Sequence, residues 1–103
     1  MRREMLEQFV AANPDDAFAR YGLALECVKG GDDAAAEENF RRLLASHPEY
    51  VPGYYHYGQL LMRMSRGAEA QGTFRQGIET ARKAGDAHAL SELEAALEEA
   101  RGA

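Results

Sequence analysis

Three histidines, one cysteine and one glycine pair are the residues of this 103-residue sequence that invite a search for chemistry. A metal site on a helix needs two ligands on one face, usually His at i and i+4, or a Cys-x-x-Cys pair in a turn. His47 stands beside Pro48 in a turn, His56 lies in a helical stretch and His88 opens the last helical stretch. No two of them are four residues apart, and a single cysteine makes no Cys-x-x-Cys. Cys27 could act as a nucleophile only with a base beside it. Its place in the apolar pattern is a packing position, where a thiol behaves as a small hydrophobe. Gly30-Gly31-Asp32 lacks the Gly-x-Gly-x-x-Gly spacing and follows no strand, so a helix C-cap accounts for it. The expectation is no enzyme, no metal, no cofactor and no small-molecule substrate.

The elements that carry these residues are helical. Hydrophobic residues make up 46% of the chain, tryptophan is absent and there are only three prolines, which is a globular and helix-permitting composition. The net charge of −5 argues against nucleic acid, which calls for a basic face. The local excess of basic residues between Arg63 and Lys83, and the acidic tail beyond, read as solvated helix faces. No apolar run reaches the roughly 18 residues that a membrane span needs, and the charged N-terminus lacks a signal-peptide core. A soluble cytoplasmic protein is expected.

A period organises the chain. Pro14 and Pro48, Tyr21 and Tyr55, Ala34 and Ala68, Ala36 and Ala70, Phe40 and Phe74, and Arg41 and Arg75 each recur 34 residues apart. A fixed spacing of this size marks a stacked repeat, in which each unit buries its apolar face against the next. Phased on Pro14, the units are 17–50 and 51–84. Residues 2–12 carry Leu6, Phe9 and Val10, one period ahead of Phe40, Leu43 and Leu44, and read as a lone second helix of a preceding unit. Residues 86–101 carry Leu90, Leu93 and Leu97 with glutamates opposite, an amphipathic closing helix with a polar outer face. Turn chemistry sets the boundaries: Asp15-Asp16 and Asp32-Asp33 as N-caps, Gly30-Gly31 as a C-cap, Ser65-Arg66-Gly67 as the second intra-unit turn, and Gly85-Asp86 before the closing helix.

The positions within each unit resemble the tetratricopeptide repeat family. Leu23-Ala24, Cys27, Ala36, Phe40 and Pro48 fall on its Leu-Gly, Tyr, Ala, Phe and Pro positions. Tyr54, Tyr57-Gly58, Leu61, Ala70 and Phe74 fall on its Trp, Leu-Gly, Tyr, Ala and Phe positions. Two positions depart from the pattern. Arg20 replaces the first Trp, and Arg82 replaces the second Pro, which lets the second helix of that unit run past its usual stop.

The resemblance implies an all-α fold, a right-handed superhelical array of antiparallel helix pairs with about six helices in one domain. It also implies a concave groove lined by the first helix of each unit. The groove positions are Phe18, Tyr21, Leu25 and Val28 in the first unit and Pro52, Tyr55, Gln59 and Met62 in the second. Asp86, Ala89, Leu93 and Ala96 match them in the closing helix. Phe18, Tyr21, Leu25, Tyr55, Gln59 and Met62 are the candidate binding residues. The partner implied is a protein or peptide with apolar anchors, or a second copy of the chain; a closing helix folded inward would instead make Leu25 and Val28 core. The Lys/Asn/Arg set with which one branch of the family grips terminal carboxylates is absent. Tyr21, Leu25, His56, Asp86 and Leu90 stand there.

Overall fold

Helix ends come first, because caps decide where this chain turns. The computed structural model describes residues 2–102, which form six helices: α1 (Arg2–Ala12), α2 (Ala17–Lys29), α3 (Asp33–Ser46), α4 (Val51–Arg63), α5 (Gly67–Ala84) and α6 (Ala87–Gly102). No strand occurs among the described residues, and none of their helices is long and apolar enough to cross a membrane. The helices group into two compact units, Met1–His47 and Pro48–Ala103.

In the first unit, the Asp16 carboxylate accepts the Ala19 N–H at 2.9 Å and starts α2; the Asp32 carboxylate accepts the Ala35 N–H at 3.2 Å and starts α3. Each satisfies an N–H that has no partner within its helix. Between them, Gly31 adopts φ +78°, and the Asp32 N–H reaches back to the Cys27 carbonyl at 2.9 Å. That is a Schellman ending, and a glycine enters the left-handed region it requires without a steric penalty. The core of this unit is Leu23, Ala24 and Cys27 of α2 against Ala36, Phe40 and Leu43 of α3, with Val10 of α1 on the other side. Arg20, in place of the expected aromatic, donates to Asn39 Oδ1 at 3.1 Å and approaches the Pro14 carbonyl at 3.5 Å. Burial lowers its pKa.

The second unit carries an aromatic at the Trp position. Tyr54 is buried, and its hydroxyl donates to the Pro48 carbonyl at 2.6 Å. Tyr54 and Pro48 stand one period after Arg20 and Pro14, so each residue at the Trp position points a donor at the carbonyl of its own unit's equivalent proline. A Cβ on Gly58 would overlap the ring of Phe74, approaching Cδ1 to 2.6 Å, so glycine is there for contact between α4 and α5. Gly77 serves a second such contact. A Cβ there would lie 2.7 Å from Tyr54 Cβ and 2.9 Å from Leu93 Cδ2, and α4, α5 and α6 meet at this point. Phe74, Leu60, Leu61 and Leu93 are fully buried around it, each worth about 1.5–3 kcal/mol of apolar transfer. Among the described residues no buried side-chain nitrogen or oxygen lacks a hydrogen-bond partner.

The departure at Arg82 shows in the helix lengths. α5 has 18 residues where α3 has 14, and it ends only at Gly85, in the left-handed region with φ +69°. The period would place the last helix start at residue 85, after the starts at 17 and 51; α6 starts at Ala87, capped by Asp86, whose carboxylate accepts the Ala89 N–H at 3.0 Å.

Candidate protein-interaction surface

α2 and α4 each carry two stripes. On α2, Leu23, Ala24 and Cys27 face the core, while Phe18, Tyr21, Leu25 and Val28, at spacings of three and four, form a second stripe. Phe18 is 74% exposed, an unusual position for a phenylalanine, and Tyr21, Leu25 and Val28 are half-buried. On α4, Tyr54, Gly58 and Leu61 face inward, and Pro52, Tyr55, Gln59 and Met62 form the second stripe. Pro52 and Gln59 are exposed; Tyr55 and Met62 are half-buried. The Tyr55 ring meets His56 edge to face, with centroids 5.2 Å apart. His56 is half-buried, and desolvation lowers its pKa, opposed by the nearby Glu92 charge. The six candidate residues thus fall three on α2 in the first unit and three on α4 in the second, and none belongs to the buried core.

The closing helix corrects the sequence expectation. Asp86 is exposed and Ala89 half-buried, but Leu93 and Ala96 are buried, at 1% and 6% exposure, because α6 packs on α5 and α4. The extra length of α5 and the late start of α6 shift the register, so the 34-residue spacing no longer carries groove positions onto this helix. A second misfit lies in α1. Phe9 aligns with Leu43, which has no exposed surface, yet Phe9 is 48% exposed, and Met5 beside it is 71% exposed. The alignment does not carry whether another helix covers that face.

The residues searched for chemistry hold structural places. Cys27 has no exposed surface, and burial pushes its thiol pKa up, away from the thiolate a nucleophile needs. His47 Nε2 lies 2.9 Å from the Asp15 carbonyl, joining the turn after α3 to the turn before α2. His88 is exposed and pairs with Glu92 one helical turn on at 3.6 Å. Among the described residues no group of three His, Cys, Asp or Glu side chains could hold a metal ion. A recess of about 540 Å³ in the second unit is lined in part by Tyr54, Thr80 and Lys83. The Tyr54 hydroxyl is committed to Pro48 and the Thr80 hydroxyl donates to the Gln76 carbonyl, so neither is paired with a base.

Helices with one stripe in the core and one apolar stripe left to solvent, repeated at a fixed period, define a helical repeat protein. No protein-family model matches the chain. It is 31% identical over 93 residues to a TPR repeat-containing protein of Pseudomonas aeruginosa, across 90% of this chain and 89% of that protein. A solution structure of a tetratricopeptide repeat domain protein from Salinibacter ruber superposes with a TM-score of 0.82 at 43% identity, covering 86% of this chain and 90% of that one. A crystal structure of a tetratricopeptide repeat domain protein from the same organism gives 0.81 at 42% identity, over 84% and 97%. The chain belongs to the tetratricopeptide repeat family, whose fold generally mediates protein–protein interaction and whose members are typically non-enzymatic scaffolds.

Proposed function

We propose that the chain is a protein-interaction module that takes a short apolar peptide or helix of its partner on the groove positions of its first helices: Phe18, Tyr21 and Leu25 of α2, and Tyr55, Gln59 and Met62 of α4. The units behind this reading are residues 17–50 and 51–84, flanked by the lone helix 2–12 and the closing helix 86–101. The observation that carries it is Phe18, held 74% exposed on the stripe it shares with half-buried Tyr21 and Leu25. An exposed aromatic beside further apolar side chains gains from burial in a complex, and tyrosine adds a hydroxyl that binds at little entropic cost. The proposed partner is a protein in the cytoplasm, with no nucleic acid, membrane, cofactor or catalysis involved.

Selection from a displayed peptide library tests the reading. Enriched peptides should carry spaced apolar anchors, and Leu25→Glu with Tyr55→Ala should abolish their binding. Full retention by that double variant sinks the groove as the site. The alternative, a homodimer through the same stripes, also draws on the exposure of Phe18. It predicts a dimer that Phe18→Ser dissociates, read by sedimentation across a dilution series.

A further inference from the structure

Each candidate groove stripe ends on a cation. Lys29 follows Leu25 by four residues and Arg63 follows Gln59 by four, so each lies on its stripe's own face, one helical turn further on. The two cations stand 34 residues apart, and both are exposed. The chain holds 17 acidic and 12 basic side chains, yet neither stripe contains a carboxylate: one is Phe18, Tyr21, Leu25 and Val28, the other Pro52, Tyr55, Gln59 and Met62.

In the first unit the acidic residues on and beside α2 are engaged away from the stripe. Asp16 caps α2 through the Ala19 N–H, and the Asp15 charge acts on Arg20 at the Trp position. Glu26 pairs with Arg2 of α1 at 3.2 Å, and Asp32 caps α3 while accepting from Arg3. No carboxylate among the described residues pairs with Lys29. The helix dipole favours a cation in a last turn whichever face it takes. It therefore accounts for the charge of Lys29, but not for its place at the end of the apolar stripe.

We propose that Lys29 reads an acidic side chain of the partner segment lying on Phe18, Tyr21 and Leu25, so that the first unit takes apolar anchors together with an aspartate or glutamate. This rests on the groove reading above and names the chemistry of its partner. Phe18 and Lys29 are eleven residues apart, about 16 Å along the axis of α2. A segment laid along the helix spans that distance with about five extended residues or about eleven helical ones. The spacing between its bulky anchor and its acid is set accordingly. A charge at the rim of an apolar contact selects among partners more than it adds affinity, so Lys29 acts on specificity. A second copy docked stripe on stripe brings Lys29 no acid, because neither of its stripes offers one.

The test selects a displayed peptide library on the full chain and again on Lys29→Glu. Fluorescein-labelled, C-terminally amidated copies of the enriched peptides are then followed by anisotropy. Peptides selected on the wild type should carry an aspartate or glutamate at one of the two spacings from a bulky apolar residue. Those selected on Lys29→Glu should keep the apolar residue and carry lysine or arginine in place of the acid. Lys29→Glu should weaken a wild-type-selected peptide by about tenfold or more, and exchanging the peptide's acid for lysine should restore binding to that variant. Lys83→Glu, an equal change of charge on an exposed residue of α5, should leave the affinity unchanged. Lys29 is exposed, and an unchanged unfolding midpoint shows that Lys29→Glu folds. Two results overturn the proposal and leave the groove reading standing: enriched peptides without an acid that the Leu25→Glu, Tyr55→Ala double variant still fails to bind, or acidic peptides that Lys29→Glu retains and the double variant loses. The proposal falls together with the groove reading if the double variant retains the peptides in full or if no peptide is enriched. It also falls if amidation alone abolishes binding, since the carboxylate is then a chain terminus, or if a dimer that Phe18→Ser dissociates excludes the peptides.

Discussion

Residues 1–47 and residues 48–103 are built on one 34-residue pattern, yet they close in different ways. In the second unit the middle helix is α5, a second helix of its repeat, and the helices on its two sides touch each other as well as α5. In the first unit the middle helix is α2; α1 packs on α2, and its Arg3 Nη1 donates to Asp32 Oδ2, the N-cap of α3, at 2.9 Å. All three exposed large hydrophobics among the described residues, Met5, Phe9 and Phe18, lie in the first unit. The same local pattern therefore gives a sealed three-helix core or an open one, depending on which helix stands in the middle. Free apolar surface collects in the open one.

The contrast can be broken from its strongest side. Phe74→Ala in the sealed unit should cost about 3–5 kcal/mol, while Phe9→Ala in the open unit should cost less than about 1 kcal/mol, both read from urea unfolding with unchanged slope. Equal losses would show that α1 is more deeply packed than its exposure indicates. Gly58→Ala comes next. Helix propensity favours alanine by about 1 kcal/mol, but the clash with Phe74 should win and leave a net loss of about 1–2 kcal/mol in the same assay.

A smaller effect sharpens the comparison at matching turns. Ser65 stands 34 residues after Gly31 and adopts the same left-handed conformation, with φ 60°, at the end of α4; the Arg66 N–H bonds the Leu61 carbonyl at 2.8 Å, as Asp32 bonds Cys27. A serine pays a steric cost there that glycine avoids. Ser65→Gly should raise stability by about 0.5–1 kcal/mol, and Gly31→Ser should lower it by a similar amount, visible as opposite shifts of the thermal midpoint.

The smallest expected effect depends on pH. Burial holds the folded-state pKa of His56 below its ordinary value near 6.5, so the unfolded chain binds the proton more readily. Stability should be complete above about pH 6.5 and decline as pH falls from there toward the folded-state pKa. His56→Gln should flatten this part of the profile, read as unfolding midpoint against pH. Asp32 acts at lower pH. The Ala35 N–H, then Arg3, hold its carboxyl below the usual range, so its contribution is lost as pH falls below about 3.8. His56→Gln should leave that lower limb unchanged.

Much of the fold was legible because the residues that set it are local. Asp16, Asp32 and Asp86 cap helices through their own chain neighbours, and Gly31 and Gly85 end them, so the boundaries follow from short-range chemistry. Gly58 and Phe74 were legible as positions of the repeat pattern, and the contact between them emerges only when α4 packs on α5. Gly77 was not, since a mid-helix glycine carries no sign of which two helices it admits. Placing Leu93 and Ala96 in the groove failed for a related reason: the spacing holds only while helix lengths repeat, and α5 does not repeat α3. The stripe on α2 entered the sequence reading only through the resemblance to the repeat family, and the exposure of Phe18, Met5 and Phe9 depends on the presence or absence of a covering helix.

The overrun of α5 has a consequence for how such a chain could lengthen. Tandem duplication adds whole units only where the new segment starts in phase with the old. After Arg82 the phase is lost: a further 34-residue copy joined at residue 85 would begin two residues before the position where this chain starts its next helix, with its core side chains rotated away from α5. A unit added upstream of Arg82 would meet the period, whereas one added after it would meet a helix start two residues out of phase.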